Sequence, residues 1–299
     1  MKYKIAVILT CYNRKAKTLA CLDRLFHAQE VQGDVELTVF LTDDGCTDGT
    51  ADAVRTSFPE KDIHILQGNG QLYWAGGMRL AWKAAMELSG EWDFYLLLND
   101  DTFVMDSVFP ELLSTHDFSL RTFGQAGIYS GITCDPHDPQ RITYGGGVYA
   151  DSTRTRILEL EPSGKPQLVE RTNANILLVS PVVVKKVGIF HEGYIHSGAD
   201  IDYGITVRKA GLPAWVTAHV CGTCQFDHTS DADVCRALMK MSLKERMAYL
   251  RNPLHRERDY LVLVRRHNPG KYPVTWLLRK LRLFAPSLYM MVNKARGLY

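Results

Sequence analysis

Leu96-Leu97-Leu98-Asn99-Asp100-Asp101-Thr102 decides how this chain is read. Three successive leucines ask for a strand buried on both faces, and such strands belong to parallel sheets covered by helices. The apolar run then stops at an amide and two carboxylates. Ligands of open α/β sheets bind just beyond the carboxyl ends of strands, so the acids stand where a ligand is expected. Adjacent carboxylates repel unless something positive joins them, and a hard divalent cation with oxygen ligands does this well. The stretch therefore reads as a metal site, together with the phosphates such a metal usually serves.

Working outward, the same pattern recurs. A strand at 3–9 precedes a helix at about 15–28, and a strand at 35–41 precedes a helix starting near Thr47 or Asp48. A third strand at 62–66 leads to a helix over 75–89, and the fourth, 93–98, reaches the acids. Four alternations predict a parallel, right-handed α/β sheet. Beyond residue 120, β-type runs at 126–133, 141–149 and 173–179 predict a mixed half with antiparallel pairing. A helix at 200–210, a strand at 213–219 and a helical pattern from about 235 follow. The expected organisation is one domain over 1–230 and a helical extension over 231–299.

Composition sets the outer limits. The chain has 299 residues, 46% hydrophobic and 23% charged, which is ordinary for a globular protein and excludes disordered and collagen-like classes. Seven scattered cysteines in a chain of this length fit reduced thiols in a cytosol. The basic-then-apolar start, Met1 to Leu9, ends in Thr10, Asn13 and Arg14 without a small-residue cleavage site, so a first core strand is preferred to a signal peptide. The formal charge of +2 hides an asymmetry. All 33 acids lie at or before Asp259, giving residues 1–259 a net −6, while 260–299 carry eight Lys/Arg and no acid. With Trp276, Leu277, Leu278, Leu281, Leu283 and Phe284 interleaved, this tail reads either as a membrane-surface helix or as a packed helix with solvated cations. Nothing suggests nucleic-acid binding.

The loops that follow the strands narrow the chemistry. Thr10-Cys11-Tyr12-Asn13-Arg14 stands where a dinucleotide fold needs G-x-G-x-x-G, and no P-loop motif occurs anywhere. An aromatic ring among polar groups suits a planar base better than a phosphate. Thr42-Asp43-Asp44-Gly45-Cys46-Thr47-Asp48-Gly49-Thr50 supplies a turn glycine, a helix cap, and two earlier carboxylates that capping does not use.

These segments in this order resemble the family 2 glycosyltransferases of the GT-A fold, bacterial rhamnosyltransferase-like polysaccharide enzymes among them. The matching motifs are Tyr12-Asn13-Arg14, Asp43-Asp44-Gly45, Asn69-Gly70 with Trp74-Ala75-Gly76-Gly77-Met78, Asn99-Asp100-Asp101, and Asp200-Ile201-Asp202-Tyr203 with Arg208 and Ala210-Gly211. The resemblance spans about 4–230. It implies a Rossmann-like mixed sheet flanked by helices, with the helical C-terminal extension outside it.

It also implies a site. Thr10, Tyr12 and Arg14, with Asp43 or Asp44, would bind the base of a nucleoside-diphosphate sugar. Gly76 and Gly77 would lie against the ribose and diphosphate, with Arg79 either on phosphate, on Asp100, or simply at the surface. Asn99-Asp100-Asp101 corresponds to the family's D-x-D element, which holds Mn²⁺ or Mg²⁺; Asp101 would be the direct ligand and Asp100 would serve ribose or a metal-bound water. The first position departs from the family in being Asn. His228 would be a further metal ligand, against a structural-zinc reading of His219, Cys221, Cys224 and His228 and against plain packing of the cysteines. In the second acidic motif the usual glutamate is Ala199, which leaves Asp200 as general base, Asp202 as runner-up, and a helix-capping role open for both. Asp202 and Tyr203 are the expected acceptor-binding pair.

The expected activity is metal-dependent, inverting transfer of a sugar to a glycan or lipid-linked acceptor in surface polysaccharide synthesis. A cytoplasmic location, peripheral to the inner membrane face, goes with it. The alternative is a sugar-nucleotide or glycan-binding module without turnover, which Asn99 and Ala199 favour. A nucleotidylyltransferase would need a Gly-rich turn after the first strand, and Tyr12-Asn13 stands there instead. Rhamnose on a thymidine nucleotide and hexoses on a uridine nucleotide both stay open as donors.

Overall fold

The computed structural model describes residues 2–88, 91–150, 157–226 and 229–296. Its first half is the expected alternation: β1 (Tyr3–Cys11), α1 (Lys15–Gln32), β2 (Val35–Asp43), α2 (Thr50–Ser57), β3 (Ile63–Gln67), α3 (Tyr73–Glu87) and β4 (Phe94–Leu98). Then come β5 (Phe103–Val104), α4 (Val108–Phe123), β6 (Ile128–Cys134), β7 (Ile142–Tyr144), β8 (Gly146–Tyr149), β9 (Ile157–Glu159), β10 (Gln167–Leu168), β11 (Arg171–Thr172) and β12 (Ile176–Val179). α5 (Pro181–Val187), α6 (Ala199–Lys209) and β13 (Ala214–Thr223) precede α7 (Asp231–Met239), α8 (Leu243–Arg251), α9 (Glu257–His267), α10 (Tyr272–Phe284) and α11 (Pro286–Ala295).

The main sheet runs β10-β13-β6-β12-β4-β1-β2-β3, with β5 on β13 and β7 on β6. β1, β2, β3 and β4 pair in parallel. β12 runs antiparallel between β4 and β6, so its first residues lie at the same edge as the last residues of β1, β2 and β4. This reversal builds the site. It brings the start of β12, far downstream in the chain, alongside the strand end that precedes the acids, in the register Ile176↔Leu98. A second sheet, β11-β8-β9, stands apart.

Leu96, Leu97 and Leu98 are fully buried, which confirms a strand covered on both faces. Each contributes about 1.5–3 kcal/mol relative to an exposed position. α1 covers one face through Thr18, Cys21, Leu22, Leu25 and Phe26, a helical spacing, and ends at Gly33, whose φ of +69° is left-handed. α4 stands where the sequence reading assigns no element; its buried Val108, Leu112, Thr115 and Ser119 do follow helical spacing.

The chain divides into two compact units, Met1–His191 with Ala199–Phe226, and Glu192–Gly198 with Asp227–Tyr299. The first holds both sheets. In the second, Asp259 on α9 accepts hydrogen bonds from the backbone N–H groups of Ile195, His196 and Ser197, which ties the 192–198 segment to the helices.

Candidate active site

At the carboxyl edge of the parallel strands, three loops converge. The loop after β1 and the loop after β2 are laced together. The Asn13 side-chain oxygen accepts from Thr47 N–H at 2.7 Å, and Lys15 N–H donates to Asp48 at 2.9 Å. Tyr12, between them, is 55% exposed, so a ring large enough to pay for burial stays in solvent beside the strand ends. Asp43 is buried and accepts from Cys46 N–H at 2.6 Å. Asp44 turns both oxygens inward, accepting from Gly70 N–H and Tyr73 N–H at 2.9 Å each. It thereby fixes the start of α3, where Tyr73 holds a left-handed φ of +53°.

Thr10 is also largely buried, its hydroxyl donating to Thr42 O. Gly77 lies directly against it: a Cβ there would sit 2.1 Å from the Thr10 hydroxyl oxygen. The glycine thus permits close approach of α3 to β1. Gly76 is buried beside it, and Arg79 donates to the His191 carbonyl at 3.2 Å.

The acid pair after β4 is organised by Arg14. One guanidinium nitrogen meets Asp100 at 2.9 Å and the other meets Asp101 at 2.7 Å, so one cation bridges both carboxylates. Thr18 also donates to Asp100. Asp100 is 5% exposed, and burial, reinforced by Asp101, pushes its pKa up to about 6 against the opposing pull of Arg14 and Thr18. Asn99 accepts from the Trp74 indole at 2.8 Å, which aims Trp74 at the acid loop and anchors it there. Sequence reading places Arg14 with a base and Trp74 with sugar or core. Neither link has a local signal, since the partners are 86 and 25 positions apart.

Asp200 joins the same edge through β12. Asn99 N–H donates to Asn175 O, and the adjacent Ala174 N–H donates to an Asp200 oxygen at 3.3 Å. The other oxygen accepts from Ile201 N–H at 2.9 Å, as at a helix start. Loss of solvent raises the pKa of Asp200, opposed by those N–H groups and by Arg171. Asp202 and Tyr203 are both buried; the Tyr203 hydroxyl donates to Gly188 O at 3.0 Å and its ring packs on Trp82 and Phe190.

His228 lies outside the described residues. The other members of the cysteine–histidine set do not converge: His219 pairs with Glu111 at 2.8 Å, Cys221 with Thr217, and Cys224 with Asn175. Among the described residues, no three His, Cys, Asp or Glu side chains are grouped to hold a metal. Cys224 does sit 4.0 Å from Asp101, and Cys46 approaches Cys11 to 3.8 Å.

Acids at the end of β2, just after β4 and at the start of α6 thus belong to one edge of the sheet, with the exposed Tyr12 ring at the same edge. The family model described as glycosyl transferase family 2 matches residues 6–175, and the chain belongs to that family. No curated protein matches the sequence. Among solved structures, the mannosyltransferase PcManGT from Pyrobaculum calidifontis, in complex with GDP-Man and Mn²⁺, is similar at a TM-score of 0.51 and 15% identity. The match covers 100% of this chain and 81% of that one, and it shows the shared fold.

Proposed function

We propose that this glycosyltransferase moves a sugar from a nucleoside diphosphate, with inversion and with a divalent cation, onto a glycan or lipid-linked acceptor at a membrane surface in surface polysaccharide synthesis. What supports this reading is that Asp200 accepts from Ala174 N–H, next to Asn175, whose carbonyl accepts from Asn99 N–H, so Asp200 is tied to the strand edge that Asp100 and Asp101 follow.

The donors open to a hard cation are the Asp100 and Asp101 carboxylate oxygens, which Arg14 now bridges and would release to the ion. Asp101 is the ligand of choice, being the more exposed of the two. A bound Mn²⁺ or Mg²⁺ would supply Lewis-acid stabilisation of the leaving diphosphate. Tyr12 gives the base a face to stack on, with Asp43 beside it at the end of β2 and Asp44 and Thr10 holding the surrounding loops. Gly76, Gly77 and Arg79 shape the α3 side, and Arg14 is freed to meet phosphate. Asp200 takes the proton of the acceptor hydroxyl as its oxygen attacks the anomeric carbon. Its raised pKa suits it to accept that proton. Asp202 and Tyr203, the expected acceptor-binding pair, are buried in α6 beside Asp200 and would act on the acceptor by placing that helix.

GDP-mannose is the first donor to try, since the solved mannosyltransferase carries it. Release of nucleoside diphosphate is measured over a panel of sugar nucleotides with and without Mn²⁺. Asp200→Asn is expected to reduce turnover by about 10²–10⁴ while leaving donor affinity within a few fold. Equal turnover in variant and wild type refutes the base assignment, and a binding module without turnover is left if no donor is consumed by either.

A further inference from the structure

Helix α10 is built inside out. On the side packed against its neighbours it carries Arg279 and Arg282, the latter 3% exposed. Arg279 meets Glu257 at 2.9 Å and lies over the Tyr260 ring at 4.4 Å. Arg282 pairs with Glu257 and, at 2.8 Å, with Asp231. The opposite side is apolar and open to solvent. Val274, Leu277 and Phe284 are each more than 60% exposed and recur at i, i+3 and i+10, with half-exposed Leu281 between them at i+7. These positions form one stripe along the helix. On α11, which packs on α10, Leu288 and Met291 are exposed as well, Met291 at 68%.

A helix of a lone soluble unit turns its apolar stripe inward. Here the stripe is left outside while two arginines are held inside by carboxylates, an arrangement that favours burial of the outer face against something else. The surroundings of that face identify the occupant. Lys280 lies 5.2 Å from the ring centre of exposed Trp276, and Lys271, Lys294 and Arg296 are exposed on the same helices or at their ends. Residues 260–299 contain no Asp or Glu, and the Glu257 and Asp231 side chains that meet α10 are taken up by Arg279 and Arg282. A second copy docking by two-fold symmetry would set these cations against each other. An anionic bilayer surface instead offers phosphates to the cations, acyl chains to the stripe and a headgroup layer to Trp276.

We infer that the exposed faces of α10 and α11 dock on an anionic lipid surface, with Val274, Leu277, Phe284, Leu288 and Met291 inserted and Trp276 and Lys280 at the headgroup level. The inference rests on the reading of a membrane-bound acceptor for its purpose, and on the helix alone for its geometry.

The full chain is sedimented with phosphatidylcholine vesicles, and with phosphatidylcholine vesicles containing about one-third phosphatidylglycerol. Wild type is expected to partition onto the anionic vesicles and to be released as salt rises. Leu277→Glu/Phe284→Glu, whose sites are exposed, is expected to keep the wild-type melting temperature and to lose partition by at least about tenfold. Trp276 fluorescence should shift to the blue on binding, a change absent from Trp276→Phe. Wild type that stays in solution with both vesicle types, or a double variant that binds as wild type does, overturns the inference. So does light scattering that shows a wild-type dimer lost in the double variant, which would give the face to a second copy. No sugar nucleotide is present, so a failure here is distinct from a failure of the transferase reading.

Discussion

Replacing Arg14 with methionine removes the one cation that joins Asp100 and Asp101, while keeping much of the side chain's length and apolar stem. Two charged hydrogen bonds disappear, at 2.9 and 2.7 Å. Each such bond contributes about 1.5–3 kcal/mol when well buried. The arginine side chain is 38% exposed, so water screens much of that. The carboxyl of Asp100 also escapes part of the penalty by taking up a proton, because its pKa, already about 6, loses the guanidinium's downward pull. The net loss comes to about 2 kcal/mol. At roughly 2 cal/mol/K of unfolding entropy per residue, a chain of this length then melts about 3 °C lower. The assay is thermal unfolding at pH 7.5 without metal and with a titration of Mn²⁺. Added Mn²⁺ should raise the variant's Tm by more than it raises that of wild type, since no guanidinium has to leave the carboxylates first. An unchanged Tm without metal, or a smaller Mn²⁺ gain in the variant, would refute the reasoning.

Other outcomes follow from single contacts. Asp44→Ala leaves the Gly70 and Tyr73 N–H groups without their acceptor and should cost about 2–4 kcal/mol, with weaker nucleotide binding as the start of α3 loosens; denaturant unfolding and a nucleotide titration read both. Gly77→Ala drives a methyl group into Thr10 and should lower stability by about 2–3 kcal/mol; a variant as stable as wild type would show that α3 yields freely. His116 contacts the Tyr129 hydroxyl at 2.9 Å and sits edge-on to Phe94, and burial holds its pKa below the ordinary 6.5. Its neutral form is the folded one, so its share of stability is full above 6.5 and is lost as pH falls from there through the lower folded value. His116→Phe should flatten that part of the stability–pH curve; an unchanged slope would assign it to other groups.

How far the sequence reaches can be seen in particular residues. The leucine run and the four alternations announce a two-sided parallel sheet, because burial on both faces and helical crossover are properties of short stretches. The acid positions after β4 are likewise visible, since an abrupt polar stop is a local event. Antiparallel pairing beyond residue 120 is expected as well, but the insertion of β12 between β4 and β6, which ties Asp200 to this edge, is not. Pairing partners are chosen by tertiary packing, and residues 173–179 look the same whether they run parallel or antiparallel. Arg14 shows the same limit: the family resemblance assigns it to a base, and only the fold reveals two carboxylates within its reach. Glycines at 76 and 77 announce close approach without saying to what, and in Gly77 the near neighbour is Thr10. The tail's charge and aromatic content leave a packed helix and a membrane helix equally possible; which cations are internal depends on Glu257 and Asp231, one of them on a different helix from the other.

The central claim is that Asp101 and its neighbours form one site for a cation and a sugar diphosphate. Calorimetric titration of the nucleoside diphosphate selected by the donor screen, into wild type and Asp101→Asn, with and without Mn²⁺, addresses it most directly. Wild type should bind at least about tenfold more tightly with Mn²⁺, and the variant should lose that gain while still melting cooperatively. Binding that ignores both the metal and the substitution would contradict the account.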